Sequence, residues 1–356
     1  MSRIVIIGGG PAGYEAALVA AQLGAGVTLV EETGAGGACV VSDCVPSKTF
    51  IASSTVRTAM SRAARLGVSA ETVTVDAAAV HDRVKRLAAQ QSNDVRAKLV
   101  KAGVTYVCGR GRLTGGRSDF THRVSVAPSD GDEYEVDADV VLLATGATPR
   151  VLPDAEPDGR RVLTWRQVYE LDALPQRLIV VGSGVTGAEF ASAYLAMGVD
   201  VTLVSSRDHV LPHEDADAAM AIENVFRERG MTICSNARAV KVVGDGDGVR
   251  AELADGQTVT GTHALMTVGS VPNTTDLGLA QAGVEIDGGG YIVTDRVSRT
   301  KVPGIYAAGD VTGVLPLASV AAMQGRIAMW HALGEAVKPL RLQTVAANVF
   351  TDPELA

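Results

Sequence analysis

The 356-residue chain has few aromatics: two Trp, five Phe and seven Tyr make up 4% of it. Its apolar set is mostly Val and Ala, which suits helices packed closely on a sheet and an α/β class. Cysteine is also scarce. Four residues in a chain this long exclude a disulfide framework, and paired cysteines in a cytosolic protein are more often redox-active than structural. No apolar run is long enough to cross a membrane. The longest uncharged stretches, residues 16–30 and 311–325, fall short of the roughly 18 residues a span needs, and both contain Gly. The opening MSRIVIIGGG has only a short apolar run before its glycines, so it reads as a first strand and not as a secretory signal. Positive charge is outweighed, with 32 Lys and Arg against 40 Asp and Glu and a net charge of −8. That balance excludes nucleic acid and anionic membrane surfaces as partners and leaves a cytoplasmic setting as the expectation.

Glycine, by contrast, is abundant at 39 residues, and it is patterned. Residues 4–31, IVIIGGGPAGYEAALVAAQLGAGVTLVE, align without a gap on residues 178–205, LIVVGSGVTGAEFASAYLAMGVDVTLVS, with identity at 10 of 28 positions. Each copy is a strand, a G-x-G-x-x-G turn, a helix and a second strand, the dinucleotide-binding fingerprint. In the first copy Gly8 permits the tight turn, Gly10 lets backbone approach a pyrophosphate, and Gly13 lets the helix pack on the sheet. Gly182, Gly184 and Gly187 take the same three roles in the second. The phosphates would lie at a helix N-terminus, with its partial positive charge and unpaired N–H groups. Glu31 ends the second strand of the first copy, where a carboxylate binds a ribose 2′-hydroxyl and repels a 2′-phosphate. Its counterpart is Ser205, followed closely by Arg207, which relaxes the second site toward NADPH. A chain with two dinucleotide sites is suited to electron transfer between them.

Between the copies lies GAGGACVVSDCVPSKTFIAS, residues 34–53, with Cys39 and Cys44 followed by Pro46, Ser47 and Lys48. In a regular helix, residues five apart have Cα atoms about 8–9 Å apart. A disulfide wants less than about 7 Å, so closure requires a distorted turn, which Pro46 fits. Two readings stay open: a redox pair, or two thiols packed as small hydrophobes. Asp43, next to Cys44, works against a reactive thiolate.

The GGxCxxxxCxPSK pattern behind an N-terminal fingerprint resembles the flavoprotein disulfide reductases, the family of lipoamide dehydrogenase, glutathione reductase and mercuric reductase. VLLATGATPR (141–150), GVTGAEFA (184–191), VGSVPNT (268–274) and GIYAAGDV (304–311) resemble further motifs of that family. DCVPSKTFIAS, LTWRQVYELDALP, HVLPHEDADA, HALMTVGSVPNT and LPLASVAAMQGRIAM are similar to its NAD(P)H:quinone reductase branch. The resemblance implies a fold of two Rossmann-like domains, one inserted in the other, with a truncated α+β interface domain. The FAD domain would be 1–149 plus 274–343, the NAD(P) domain 150–273, and the start of a dimerisation domain 344–356. It implies that Cys44 faces the flavin and Cys39 exchanges with substrate, and that Lys48 pairs with Glu189 beside flavin N5. It places Gly37, Lys48, Gly111, Thr145, Gly146, Asp310, Leu317 and Ala318 with Gly8, Gly10, Gly13 and Glu31 at FAD. Gly269 joins Gly182, Gly184, Gly187, Ser205 and Arg207 at NADPH or NADH.

The family's acid–base His–Glu pair belongs to a C-terminal domain that would begin about where this sequence ends, at VFTDPELA. The sequence therefore reads as a fragment of a homodimeric protein. His331 and Glu335, four apart, are expected to be an ordinary helix-surface pair instead. The family's His near residue 319 is Ser319 here. The acceptor is a small molecule, a quinone by the branch resemblance or a disulfide by the intact cysteine pair; a fragment that binds nucleotide without turnover is the third reading. No metal site is expected. Cys108 and Cys234, in the runs VTYVC and MTIC, are expected to be buried strand residues. Residues 81–103 read as an amphipathic helix with Val84, Leu87, Val95 and Leu99 on one face.

Overall fold

The apolar run of residues 4–7 is cut off by Gly8 and, with Arg3, forms strand Arg3–Ile7 inside a seven-stranded sheet, where the part of a strand covered on both faces is apolar. The chain is known from a computed structural model that describes residues 1–68, 72–118 and 121–356. It divides into two units. The first comprises Met1–Cys44, Ala88–Thr148 and Val271–Val345; the second comprises Val45–Leu87, Pro149–Ser270 and Ala346–Ala356.

In the first unit, strands Ile305–Ala307, Val140–Leu143, Arg3–Ile7, Gly26–Glu31 and Thr105–Ser118 lie side by side and parallel. Thr121–Pro128 and Tyr134–Ala138 extend the sheet antiparallel. Ile4, Ile6, Leu29, Leu142 and Leu143 are among the largest fully buried side chains. Each contributes about 1.5–3 kcal/mol by leaving water. Helix Pro11–Gln22 opens on a proline, whose missing N–H is no loss at that position. Its small residues Ala12, Gly13, Ala16, Ala17 and Ala20 are buried, and Gly24, at φ +81°, turns the chain out of it.

The second unit repeats this plan. Its parallel sheet runs Val162–Thr164, His263–Met266, Arg177–Val181, Asp200–Val204 and Thr232–Cys234. A separate antiparallel sheet is made of Ala239–Asp245, Gly248–Leu253 and Thr258–Gly261. The repeat extends to register. Arg3 pairs with Gly26 through to Ile7 with Val30, and at the same offset Arg177 pairs with Asp200 through to Val181 with Val204.

The helix expected over 81–103 is observed as Ala77–Lys101. It starts earlier because the Asp76 carboxylate accepts the Ala79 N–H at 3.0 Å, as an N-cap does. It stops before Gly103, at φ +84°. Ala77, His81, Val84, Ala88, Val95 and Leu99 are its buried positions, and Leu87 is half-buried.

Two expectations fail. Cys108 is in a strand but exposed, because it lies where Thr105–Ser118 leaves its parallel partner at Glu31 and enters antiparallel pairing at Gly109. Nothing covers that side chain, so an apolar run in sequence did not mean burial. Cys234 is half-buried in its strand, and that burial pushes its thiol up. His331 and Glu335 do not form a helix pair either. Helix Ala318–Ala332 has ended, Gly334 at φ +83° redirects the chain, and His331 Nδ1 instead meets the Tyr306 hydroxyl at 2.8 Å.

Candidate active site

At the carboxyl ends of the first unit's parallel strands the chain makes a cradle of glycines. Gly8 has φ +102°, and a Cβ there would lie 2.2 Å from the Ala144 carbonyl oxygen, so only glycine fits this turn. A Cβ on Gly13 would lie 1.8 Å from the Gly8 carbonyl, which shows how tightly helix Pro11–Gln22 is drawn onto the strand. Above Gly10, by contrast, a Cβ would meet nothing within 4 Å, and no side chain caps the helix. Space and free N–H groups at a helix N-terminus are what a diphosphate requires. Gly37 closes on the same point, since its Cβ would lie 2.7 Å from Gly10 Cα.

The second unit reproduces each feature. Gly182 has φ +112° and would clash with the Thr267 carbonyl, Gly187 would clash with the Gly182 carbonyl at 2.0 Å, and Gly184 opens onto free space. Helix Val185–Ala196 likewise lacks a side-chain cap. Both cradles therefore fit a dinucleotide.

The copies differ where the second strand ends. Glu31 accepts the Gly9 N–H at 2.5 Å on one oxygen and Thr33 N–H and Oγ1 at 2.6 and 2.7 Å on the other. Gly9 packs tightly here, since a Cβ would stand 3.0–3.1 Å from the Glu31 side chain, which would have to yield by a few tenths of an ångström. At the corresponding positions Ser183 and Ser205 hydrogen-bond to each other at 2.7 Å, and Ser205 is fully buried. A Gly–Glu pair has been exchanged for a Ser–Ser pair filling the same room. Ser205 Oγ also accepts the Arg207 N–H at 3.1 Å, and the Arg207 side chain is exposed.

Asp310 follows strand Ile305–Ala307, next to Gly309, whose N–H donates to Gln324 Oε1 at 2.8 Å. Burial, reinforced by the Asp43 carboxylate, pushes the Asp310 carboxyl above the usual carboxylate range. Thr145 and Asn273 tie the neighbouring loop by reciprocal bonds of 2.7 and 2.8 Å, and Gly146 takes φ +67° beside them. Leu317 is the extended residue before helix Ala318–Ala332, whose start has no side-chain cap. Gly111 is buried within strand Thr105–Ser118, where a Cβ would stand 3.1 Å from the side chain of Ile7, the residue before Gly8. Gly269, at φ +89°, has open space above it, and its carbonyl accepts the Arg150 N–H.

Cys39 lies in the short helix Gly37–Val41 and Cys44 opens helix Cys44–Arg62, with the break at Ser42–Asp43. The helix is thus interrupted between the two thiols. The Tyr14 phenol is pushed up by burial, then by Glu15 and by Cys39, which places Tyr14 in the electrostatic neighbourhood of that thiol. Composition and spacing did not single out Tyr14.

Within the second unit Lys48 Nζ donates to Glu189 Oε2 at 2.8 Å, with the lysine side chain 37% exposed and the glutamate 4%. Such an ion pair, 141 positions apart in sequence, is not legible from either helix alone. A third member was missed. Phe350 donates its backbone N–H to Glu189 Oε1 at 3.0 Å, and its ring centroid is 5.0 Å from Lys48 Nζ. Among the described residues no group of His, Cys, Asp and Glu could hold a metal, and no helix is long and apolar enough to cross a membrane.

Two matching α/β cradles, each shaped for a dinucleotide, define a class of oxidoreductase that works with a pair of nucleotide cofactors. The chain belongs to the pyridine nucleotide-disulphide oxidoreductase family, whose profile matches residues 2–325, and its cofactors are FAD and NAD(P)H. It is 58% identical to a Mycobacterium tuberculosis protein named NAD(P)H dehydrogenase (quinone), over all of this chain and 73% of that protein. It is 36% identical to the dihydrolipoyl dehydrogenase of Chlorobaculum tepidum, over 99% of this chain and 75% of that protein. The crystal structure of LpdA from Mycobacterium tuberculosis superposes with a TM-score of 0.95 at 58% identity, covering 99% of this chain and 77% of that one.

Proposed function

We propose that this oxidoreductase reduces a quinone with NADPH, so that NADPH, the quinone and one proton yield NADP⁺ and the hydroquinone. FAD, when bound, supplies the centre that accepts hydride from the nicotinamide and gives up the electron pair to the acceptor. The whole-chain identity of 58% with a protein named for a quinone acceptor carries this reading, against 33–36% for the dihydrolipoyl dehydrogenases.

The chain's own residues bind, orient and polarise. Gly8, Gly10, Gly13 and Gly37 receive the FAD diphosphate, Glu31 its ribose and Asp310 its sugar-like chain. Thr145, Gly146, Leu317 and Ala318 line the rest, within an FAD domain of residues 1–149 and 274–343. Gly182, Gly184, Gly187 and Gly269 receive the nicotinamide dinucleotide within residues 150–273. Ser205 brings no carboxylate to repel a 2′-phosphate, and the exposed Arg207 guanidinium is available to attract one. Lys48, held by Glu189, presents a positive charge that favours the reduced cofactor.

A second reading, turnover of a disulfide through Cys39 and Cys44, is favoured by the helix break between them. The two readings separate in steady-state NADPH oxidation by the FAD-loaded protein with menadione and with lipoamide. The quinone reading expects menadione to be used at least about tenfold faster, a difference of roughly 1.4 kcal/mol in barrier. Faster turnover of lipoamide overturns it.

A further inference from the structure

We propose that Phe350 is a positioning residue for the Lys48–Glu189 pair, its ring holding the ammonium and its backbone N–H orienting the carboxylate. The proposal rests on the reading that this pair serves the redox chemistry. Glu189 is buried on helix Val185–Ala196, and each of its oxygens has one donor: Lys48 on Oε2 and the Phe350 N–H on Oε1. Two donors from separate segments fix the plane of the carboxylate as well as its place. Lys48 is a flexible side chain more than a third exposed, so the ion pair alone leaves its ammonium free to trade Glu189 for water. The Phe350 ring, with its centroid 5.0 Å from Nζ, lies within cation–π reach and restricts that exchange.

The surrounding segment is anchored as a positioning element requires. Val349 is buried in the second unit's core. The Asp352 N–H donates to Ser192 Oγ at 3.0 Å, and Ser192 lies on the same face of the helix as Glu189, three residues on. The Asp352 carboxylate pairs with Arg62 at 3.2 Å and Arg229 at 3.1 Å, and its carbonyl accepts Arg229 at 2.6 Å. Residues 349–352 thus touch one helix face at successive side chains. An apolar contact alone would need neither of the two backbone N–H bonds.

The test replaces Phe350 in the FAD-loaded protein by a series of progressively fluorinated phenylalanines, which keep the ring's shape while draining its negative face, alongside Phe350→Tyr and Phe350→Leu. Two quantities are read: the Lys48 ammonium ¹H–¹⁵N resonance, and the single-turnover rate of NADPH-driven cofactor reduction. The proposal expects both to change in step with fluorination, Tyr to behave as Phe, and Leu to slow the reaction about two- to fivefold. If the fluorinated series leaves the resonance and the rate unchanged and Leu lowers only thermal stability, Phe350 is packing and the proposal is overturned. Lys48→Met separates the underlying reading. If the resonance follows fluorination but Lys48→Met reduces its cofactor as fast as the parent, Phe350 does hold Lys48, and the role given to the ion pair is what fails.

Discussion

The exchange of Gly9 and Glu31 for Ser183 and Ser205 shows two residues changing together because they share one volume. Ser205→Glu alone forces a larger carboxylate against the Ser183 side chain, an overpacking that costs about 1–3 kcal/mol. Ser183→Gly/Ser205→Glu restores the room. Thermal melts should show the double variant more stable than Ser205→Glu alone, and its KM for NADPH should rise relative to its KM for NADH. Equal stability of the two variants contradicts the shared-volume account. Asp310 illustrates a different conflict. Its carboxyl is raised by burial, so the folded protein holds that proton more tightly than the unfolded chain does. Stability is therefore lost as pH rises from the ordinary carboxylate range through the raised value. Asp310→Asn should melt higher than the parent near neutral pH without cofactor, lose that advantage in acid, and bind FAD more weakly. Equal melting temperatures at neutral pH contradict it. The tight turns at Gly8 and Gly182 and the close helix packing at Gly13 and Gly187 were legible in the sequence because each depends on local backbone. The Asp43–Asp310 interaction was not, since the two carboxylates are far apart in sequence and meet only in the fold.

Helices are placed here by close approach of backbone. Gly325 of helix Ala318–Ala332 lies so near helix Pro11–Gln22 that a Cβ would stand 2.1 Å from the Ala12 carbonyl oxygen. Gly325→Ala should cost at least about 1–3 kcal/mol in denaturant unfolding and also weaken FAD binding, since Ala12 lies in the first turn of the helix that opens at the Gly10 cradle. An unchanged unfolding midpoint argues against this packing. No fingerprint marks Gly325, because the need for glycine arises only where the two helices cross. Element ends were read less well than element cores. The helix beginning at Ala77 was expected later because its Asp76 cap precedes the amphipathic stripe. The His331–Glu335 spacing was helical only on paper, since Gly334 intervenes. His81, on the same Ala77–Lys101 helix, is buried with Nδ1 bonded to the Leu171 carbonyl at 2.8 Å, and burial lowers its pKa. Unfolding releases a histidine that binds a proton more readily, so stability falls as pH drops through about 6.5. His81→Gln should flatten that part of a stability–pH curve, and an unaltered slope contradicts the assignment.

At the scale of the whole chain, duplication dominates. One strand–turn–helix–strand pattern recurs with the same register in both units, so the α/β class could be read from 28 residues and their repeat. The Lys48–Glu189 ion pair was expected only from the family resemblance, and the part of Phe350 in it was not expected at all, because three segments far apart in sequence converge only after folding. The two cradles account for a donor and an acceptor dinucleotide, and the central claim concerns where the electron pair goes next. It is tested most directly by the FAD-loaded Cys39→Ser/Cys44→Ser variant, assayed for NADPH oxidation with menadione and with lipoamide. The account predicts menadione turnover within about threefold of the parent, under 1 kcal/mol of barrier, and lipoamide turnover abolished. Loss of menadione turnover together with that of lipoamide would contradict it.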